Sequence, residues 1–139
     1  MKANLYQIGE LAEKAKISVQ TIRYYEKRKL LVPKSRKLSR FRLYDDDSLK
    51  TLWFIRNAKG LGFNLEEIAD LIKLRVYAPD RNQKVIAFAS SKLEVLSGKI
   101  SVLQTMEGKL KTLLAKCITN KSKKSCPCIQ ELELQPEKD

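Results

Sequence analysis

The 139-residue sequence predicts a mostly α-helical fold: a winged helix-turn-helix head, one long coiled-coil helix, then a short cysteine-bearing loop. Three observations carry this expectation. Near the N-terminus, apolar residues recur at three- and four-residue spacing in two short segments split by a tight turn. A heptad pattern then runs from Ile86 to Cys117. All three cysteines, Cys117, Cys126 and Cys128, cluster at the end of that pattern.

Taken in order, the segment from Gln7 to Ala15 lines up Ile8, Leu11, Ala12 and Ala15 on one helical face. A turn through Lys16, Ile17 and Ser18 follows, with the Ser18 hydroxyl placed to accept an orphan amide hydrogen bond from the next helix. That helix, about Val19 to Lys27, is expected to bury Val19, Ile22 and Tyr25. Gln20, Thr21, Arg23, Tyr24 and Lys27 are left to face outward. Pro33 ends helical structure, and the basic and aromatic stretch from Lys34 to Tyr44 suggests a short ribbon or wing. Asp46 or Asp47 is expected to cap a third helix, with Leu49, Leu52, Trp53, Ile55 and Ala58 on its apolar side. Gly60 and Gly62 break it. Asn64 opens a fourth, the Asn64 and Glu67 pair matching a capping box, and Ile68, Leu71, Ile72 and Leu74 continue its buried face.

Pro79 and Asp80 close the head. Beyond them the apolar seam reads Ile86, Ala89, Leu93, Leu96, Ile100, Leu103, Glu107, Leu110, Leu114 and Cys117. Only Glu107 breaks it, and Gly98 and Gly108 lie off the seam. A helix from about Asn82 to Lys116 would be roughly 50 Å long at 1.5 Å per residue, too long to fold back on so small a head. Its seam is therefore expected to meet a second copy of the chain. A buried acid such as Glu107 is costly on such a seam unless it is paired or the helices splay.

Charge points to the partner. The net charge is +12 with a pI near 9.7, which favours a polyanion. Between Lys14 and Arg42 stand eleven Lys or Arg residues and one acid, Glu26. No apolar run approaches the roughly 18 residues of a spanning helix, so no membrane partner is expected. The N-terminal residues lack the apolar core of a signal peptide, which makes a reducing cytoplasm the expected compartment. There, clustered cysteines more often serve metal or redox chemistry than structural disulfides. The sequence supplies no catalytic His, glycine-rich phosphate loop or pocketed carboxylate pair, so an enzyme is not expected.

The strings from Tyr6 to Ala12, from Thr21 to Pro33 (with Arg23-Tyr-Tyr-Glu26) and from Phe41 to Tyr44 resemble the winged-helix head of the MerR family of transcription regulators. The run from Leu52 to Ile68, with Leu61-Gly-Phe-Asn-Leu-Glu-Glu-Ile68, resembles that family's second helical pair. One departure is Phe41, where the wing commonly carries Tyr. The resemblance implies a homodimer held by antiparallel pairing of the long helices, with two heads in successive major grooves of promoter DNA. Gln20, Thr21, Arg23 and Tyr24 then become candidates for base edges and nearby phosphates, and Arg42 and Tyr44 in the wing, with Lys34, Arg36, Lys37 and Arg40, for backbone contacts. The expected divisions are a head over 1–78, a dimerisation helix over 79–117, and a metal-binding loop with polar tail over 118–139.

Thiolates select soft ions: Cu(I), Ag(I), Hg(II), Cd(II) or Pb(II). Cys117 ends the long helix, and Cys126-Pro127-Cys128 lies beyond a loop of eight residues that can bring both ends around one ion. Lys116, Lys121, Lys123 and Lys124 would offset the charge of bound thiolates. The stretch Ile129 to Leu134 is expected to form a short covering turn or helix. The resemblance puts Cys117 and Cys126 where metal-responsive members carry paired cysteines, whereas Cys128 is additional. Members sensing divalent ions carry another cysteine near the position of Asn82, and none precedes Cys117 here. Two outcomes stay open: a two-coordinate Cu(I) or Ag(I) site from Cys117 and Cys126, or a three-thiolate site recruiting Cys128 for Hg(II), Cd(II) or Pb(II). Zn(II) ranks lowest, because a tetrahedral site wants four ligands and the chain has no histidine.

The expected function is a metal-responsive activator of metal-resistance or efflux genes that distorts promoter DNA so that RNA polymerase can engage. The competing expectation is a thiol-based redox or electrophile sensor on the same DNA-binding frame. A third is an architectural DNA binder with no effector.

Overall fold

The computed structural model describes residues 4–33, 35–36, 42–122 and 124–137, with backbone alone for 35–36. The chain is mostly helical, and its contacts divide it into two compact units, Met1–Ala89 and Ser90–Asp139.

Four helices and a two-stranded ribbon build the first unit. Helix α1, Ile8–Ala15, opens with the Gln7 amide donating to the Glu10 carboxylate at 3.2 Å. Lys16 closes it in the left-handed conformation, φ 58°, and its amide and that of Ile17 return to the carbonyls of Glu13 and Ala12. That tight reversal feeds Ser18, whose Oγ accepts the Thr21 amide at 3.1 Å and starts α2, Val19–Lys27. The ribbon pairs β1, Ser35–Arg36, with β2, Arg42–Leu43, in antiparallel register Ser35 to Leu43 and Arg36 to Arg42. Backbone bonds of 2.7 and 2.8 Å between Tyr6 and Tyr44 stitch the segment before α1 to the base of the ribbon.

Helix α3, Asp46–Gly60, is capped by Asp45, one residue earlier than the sequence suggested. Asp45 is extended, and its Oδ1 accepts the Ser48 amide at 3.0 Å. Asp46 and Asp47 fall in the first turn instead, where negative charge suits the helix N-terminus. Gly62, with φ 92°, permits the reversal into α4, Leu65–Lys73. There the expected capping box is formed: the Glu67 amide donates to Asn64 Oδ1 at 2.8 Å, and the Asn64 amide to Glu67 Oε1 at 3.0 Å. Leu11, Ile22, Tyr44, Ile55 and Ile68, one from each of these helices and the ribbon base, meet fully buried at the centre.

One expected core position is corrected. Trp53 is 45 % exposed, because it lies a residue past Leu52 on α3 and so turns off the face that Leu49, Leu52 and Ile55 bury.

Helix α5, Arg81–Thr119, runs 39 residues, about 58 Å at 1.5 Å per residue. None of its residues is buried. Ile86, Leu93, Ile100, Leu103, Leu110 and Leu114 of the seam all stand more than half exposed. Glu107 is ion-paired one turn along with Lys111 at 3.3 Å, which leaves the off-pattern acid with a partner on its own helix. Within the second unit, α6, Pro127–Leu132, follows a loop that begins at Asn120. Among the described residues no helix is long and apolar enough to cross a membrane.

Candidate functional site: a basic groove and a thiol cluster

In the head, the turn and cap around Ser18 orient α2 so that Ile22 and Tyr25 enter the core and Gln20, Arg23, Tyr24 and Lys27 remain exposed. Thr21 is half-buried, and its hydroxyl shares a 2.8 Å hydrogen bond with Ser18 Oγ, so part of its polar capacity serves the helix start. The Tyr24 ring is 46 % exposed and carries the Arg28 guanidinium 6.0 Å from its centroid. Between α2 and the ribbon lies a groove of about 890 Å³, lined by Arg23, Lys27, Lys29 and Arg42 among others. With four cationic side chains and one acid, Glu26, in its lining, the groove is net positive.

Arg42 is not simply free for that role. Its guanidinium pairs with Glu26, whose side chain is only 6 % exposed, while the Arg42 side chain keeps 43 %. The one acid in the basic stretch is thus the anchor that ties the wing strand to α2. The sequence flagged Glu26 only as an exception in the charge count; a lone acid among eleven cations was the available signal.

Tyr44 is a correction. It was expected to reach DNA from the wing, yet its side chain is wholly buried in the core, and only its backbone faces the Tyr6 strand. Lys37 and Arg40, with Lys34, lie outside the described residues; of Arg36, only the backbone pairing in β1 is described. Lys29 and Arg28, both exposed, were not among the residues expected to face DNA.

At the far end of α5, Cys117 and Cys128 are joined by a disulfide, their Cα atoms 6.2 Å apart. Cys126 is the free and exposed thiol. The expectation set Cys117 with Cys126 as the ion-binding pair and left Cys128 as an additional thiol; here it is Cys128 that lies beside Cys117. The local cause is α6. Cys126 is the extended residue before it, Pro127 occupies its first turn, and Cys128 is carried inward on the helix toward α5. Cys128 Sγ lies 3.1 Å from the carbonyl oxygen of Leu113, one helical turn before Cys117.

Two further contacts hold this arrangement. Lys116 Nζ pairs with Glu131 Oε2 at 2.7 Å, fastening α6 to α5. The Asn120 side-chain amide donates to the carbonyls of Ser125 at 2.7 Å and Ser122 at 3.2 Å, folding the loop onto its own start. Lys121 and Lys124 are exposed nearby, and Lys123 is outside the described residues.

The donor chemistry is sulfur, since the chain has no histidine. Two adjoining sulfurs, once reduced, suit a soft ion of low coordination number. Among the described residues no three Cys, Asp or Glu side chains converge into one ready ligand group.

A family model described as "MerR HTH family regulatory protein" matches residues 6–74, and one described as "MerR, DNA binding" matches residues 49–113. The chain is 37% identical over 132 residues to the HTH-type transcriptional regulator ZntR of Escherichia coli, covering 93% of each. Among solved structures it resembles the transcription regulator PbrR691 of Ralstonia metallidurans in complex with lead(II), at 33% identity and TM-score 0.75 over 91% of this chain and 98% of that one. It also resembles the regulator MerR of Bacillus megaterium in complex with mercury(II), at 31% identity and TM-score 0.71, with the same coverage. With a helix-turn-helix head, a long exposed helix and a thiol pair at that helix's end, the chain belongs to the MerR family of transcription regulators and is not an enzyme.

Proposed function

We propose that this chain is a cytoplasmic, homodimeric, metal-responsive transcription regulator whose signal is a thiophilic ion captured by thiolates of the Cys117, Cys126 and Cys128 set, two of them for Cu(I) or Ag(I) or all three for Hg(II), Cd(II) or Pb(II). The observation that carries the reading is the approach of α6 to the end of α5, which sets Cys128 against Cys117 with Cys126 two residues away. The lead(II)- and mercury(II)-bound relatives support the same chemistry, Cu(I) or Ag(I) and Hg(II), Cd(II) or Pb(II) being the ions that sulfur selects. When bound, the ion supplies a cationic cross-link between the two helix ends.

The chain's own residues do the rest. Gln20, Thr21, Arg23 and Tyr24 on α2 read promoter DNA, while Arg42 and the wing cations Arg36, Lys37 and Arg40 hold its backbone. The exposed α5 seam pairs two copies antiparallel. Closing the thiol cluster favours a dimer that distorts the promoter so that RNA polymerase engages and metal-resistance or efflux genes are transcribed. To turn a 1:99 balance of conformers into 99:1, that preference must reach about 5.5 kcal/mol. DNA deformability is the readout.

The test is transcription from the regulated promoter with reduced protein and added Ag(I) or Hg(II). Cys117→Ser is expected to keep operator binding and lose the metal-dependent rise in transcript. A variant that still activates fully on metal would remove the sensor role and leave the DNA-binding one standing. The second reading, a redox or electrophile sensor, is favoured by one observation, the Cys117–Cys128 disulfide.

A further inference from the structure

We infer that the Cys117–Cys128 disulfide is a redox gate on the metal cluster: oxidation removes Cys117 and Cys128 together and leaves the chain unable to take its ion. This rests on the metal-sensing reading of the three cysteines above and adds to it a regulation of that same site.

Three thiols lie in the cluster, yet only one pair is bonded, and it is not the pair closest to the loop tip. Cys128 is held against α5 by contacts that do not involve the bond itself. Lys116 with Glu131 fixes α6, and Asn120 with Ser122 and Ser125 fixes the loop. Cys128 Sγ lies 3.1 Å from the Leu113 carbonyl oxygen, within donating distance for a reduced thiol at that place. Cys126, exposed on the extended residue before α6, has no such tether. The two neighbouring thiols are therefore poised to be oxidised by a hydroperoxide. One sulfur displaces an alkoxide or hydroxide from the O–O bond and becomes a sulfenic acid. The second thiol then displaces water from it and closes the S–S bond. The balance is two thiols plus one hydroperoxide giving one disulfide, one alcohol (or water) and one water, with two electrons passing from sulfur to the peroxide. A dithiol returns both thiols.

The chemical consequence follows from the donor count. Of three sulfurs, oxidation leaves Cys126 alone, and one exposed thiolate makes no chelate. Cys128, the cysteine beyond the pair expected from the family resemblance, is what makes this gate possible.

The experiment uses the full chain, fully reduced and then freed of reductant, with one half treated with hydrogen peroxide and desalted. Alkylation and peptide mass mapping read the thiols, and titration with Ag(I) against a non-reducing competitor such as imidazole reads the site. Reduced protein is expected to label at all three cysteines and to hold Ag(I). Peroxide-treated protein should label at Cys126 alone, yield a linked Cys117–Cys128 peptide pair, and bind Ag(I) about 100-fold more weakly, with dithiol restoring it. Cys126→Ser should still form the link, whereas Cys128→Ser should not. A link from Cys126, cysteines oxidised without linkage, or undiminished Ag(I) binding after linkage overturns the gate while the metal reading survives. Reduced wild-type protein that fails to hold Ag(I) overturns both.

Discussion

Glu26 sits almost wholly out of water on α2 and is answered by Arg42 of the wing, so the most consequential charge in the head is an acid inside a cationic surface. A carboxylate held that deep needs its partner, because stranding it exposes the full desolvation penalty. Arg42→Ala is expected to destabilise the head by about 1 to 3 kcal/mol, the cost of a lost charged hydrogen bond at a half-exposed site. Urea unfolding followed by far-UV circular dichroism measures it. The same variant should weaken operator binding, whereas Lys27→Ala on the same groove wall should weaken binding with little change in stability. Near the N-terminus, the Tyr6 hydroxyl donates to Asp46 at 2.6 Å, and that hydrogen bond raises its pKa above the usual 10.0. The proton it holds contributes below that value and is lost only as pH climbs through the raised one.

Helix starts were the most legible elements in the sequence, because a cap is a local event. Ser18 accepts the amide three residues on, Asn64 and Glu67 answer each other, and α2 begins and ends where its pattern predicted. Long-range placement was not local and did not read. Tyr44 looked like a wing residue aimed at DNA, but the bridge to Tyr6 pins its backbone at the ribbon base and turns the ring into the core. The cysteine pairing also escaped, since it depends on Lys116 meeting Glu131 across a loop and on α6 starting at Pro127. The family resemblance put Cys126 forward, and nothing local in the sequence placed Cys128 beside Cys117. The α5 seam, by contrast, was visible as periodicity, and its exposure matches a helix whose apolar side belongs against another copy. Leu103→Asp is expected to raise the dimer dissociation constant by more than about tenfold, a change of roughly 1.4 kcal/mol, in sedimentation equilibrium. An unchanged dimer would place the contact elsewhere.

At the scale of the molecule, a DNA-reading unit and a thiol-bearing unit share one continuous helix, α5. The central claim is that an ion taken by the thiols changes promoter DNA held by the heads, and it needs both units in one dimer. The most direct measurement is fluorescence energy transfer across an end-labelled operator duplex, selected by the protein from random sequences and bound by the reduced full chain. One equivalent of Ag(I) per chain is expected to shift the end-to-end distance in the wild-type complex and to leave the Cys117→Ser complex where it was. A duplex whose ends stay fixed when the wild-type thiols fill, or one that moves equally without Cys117, contradicts the account.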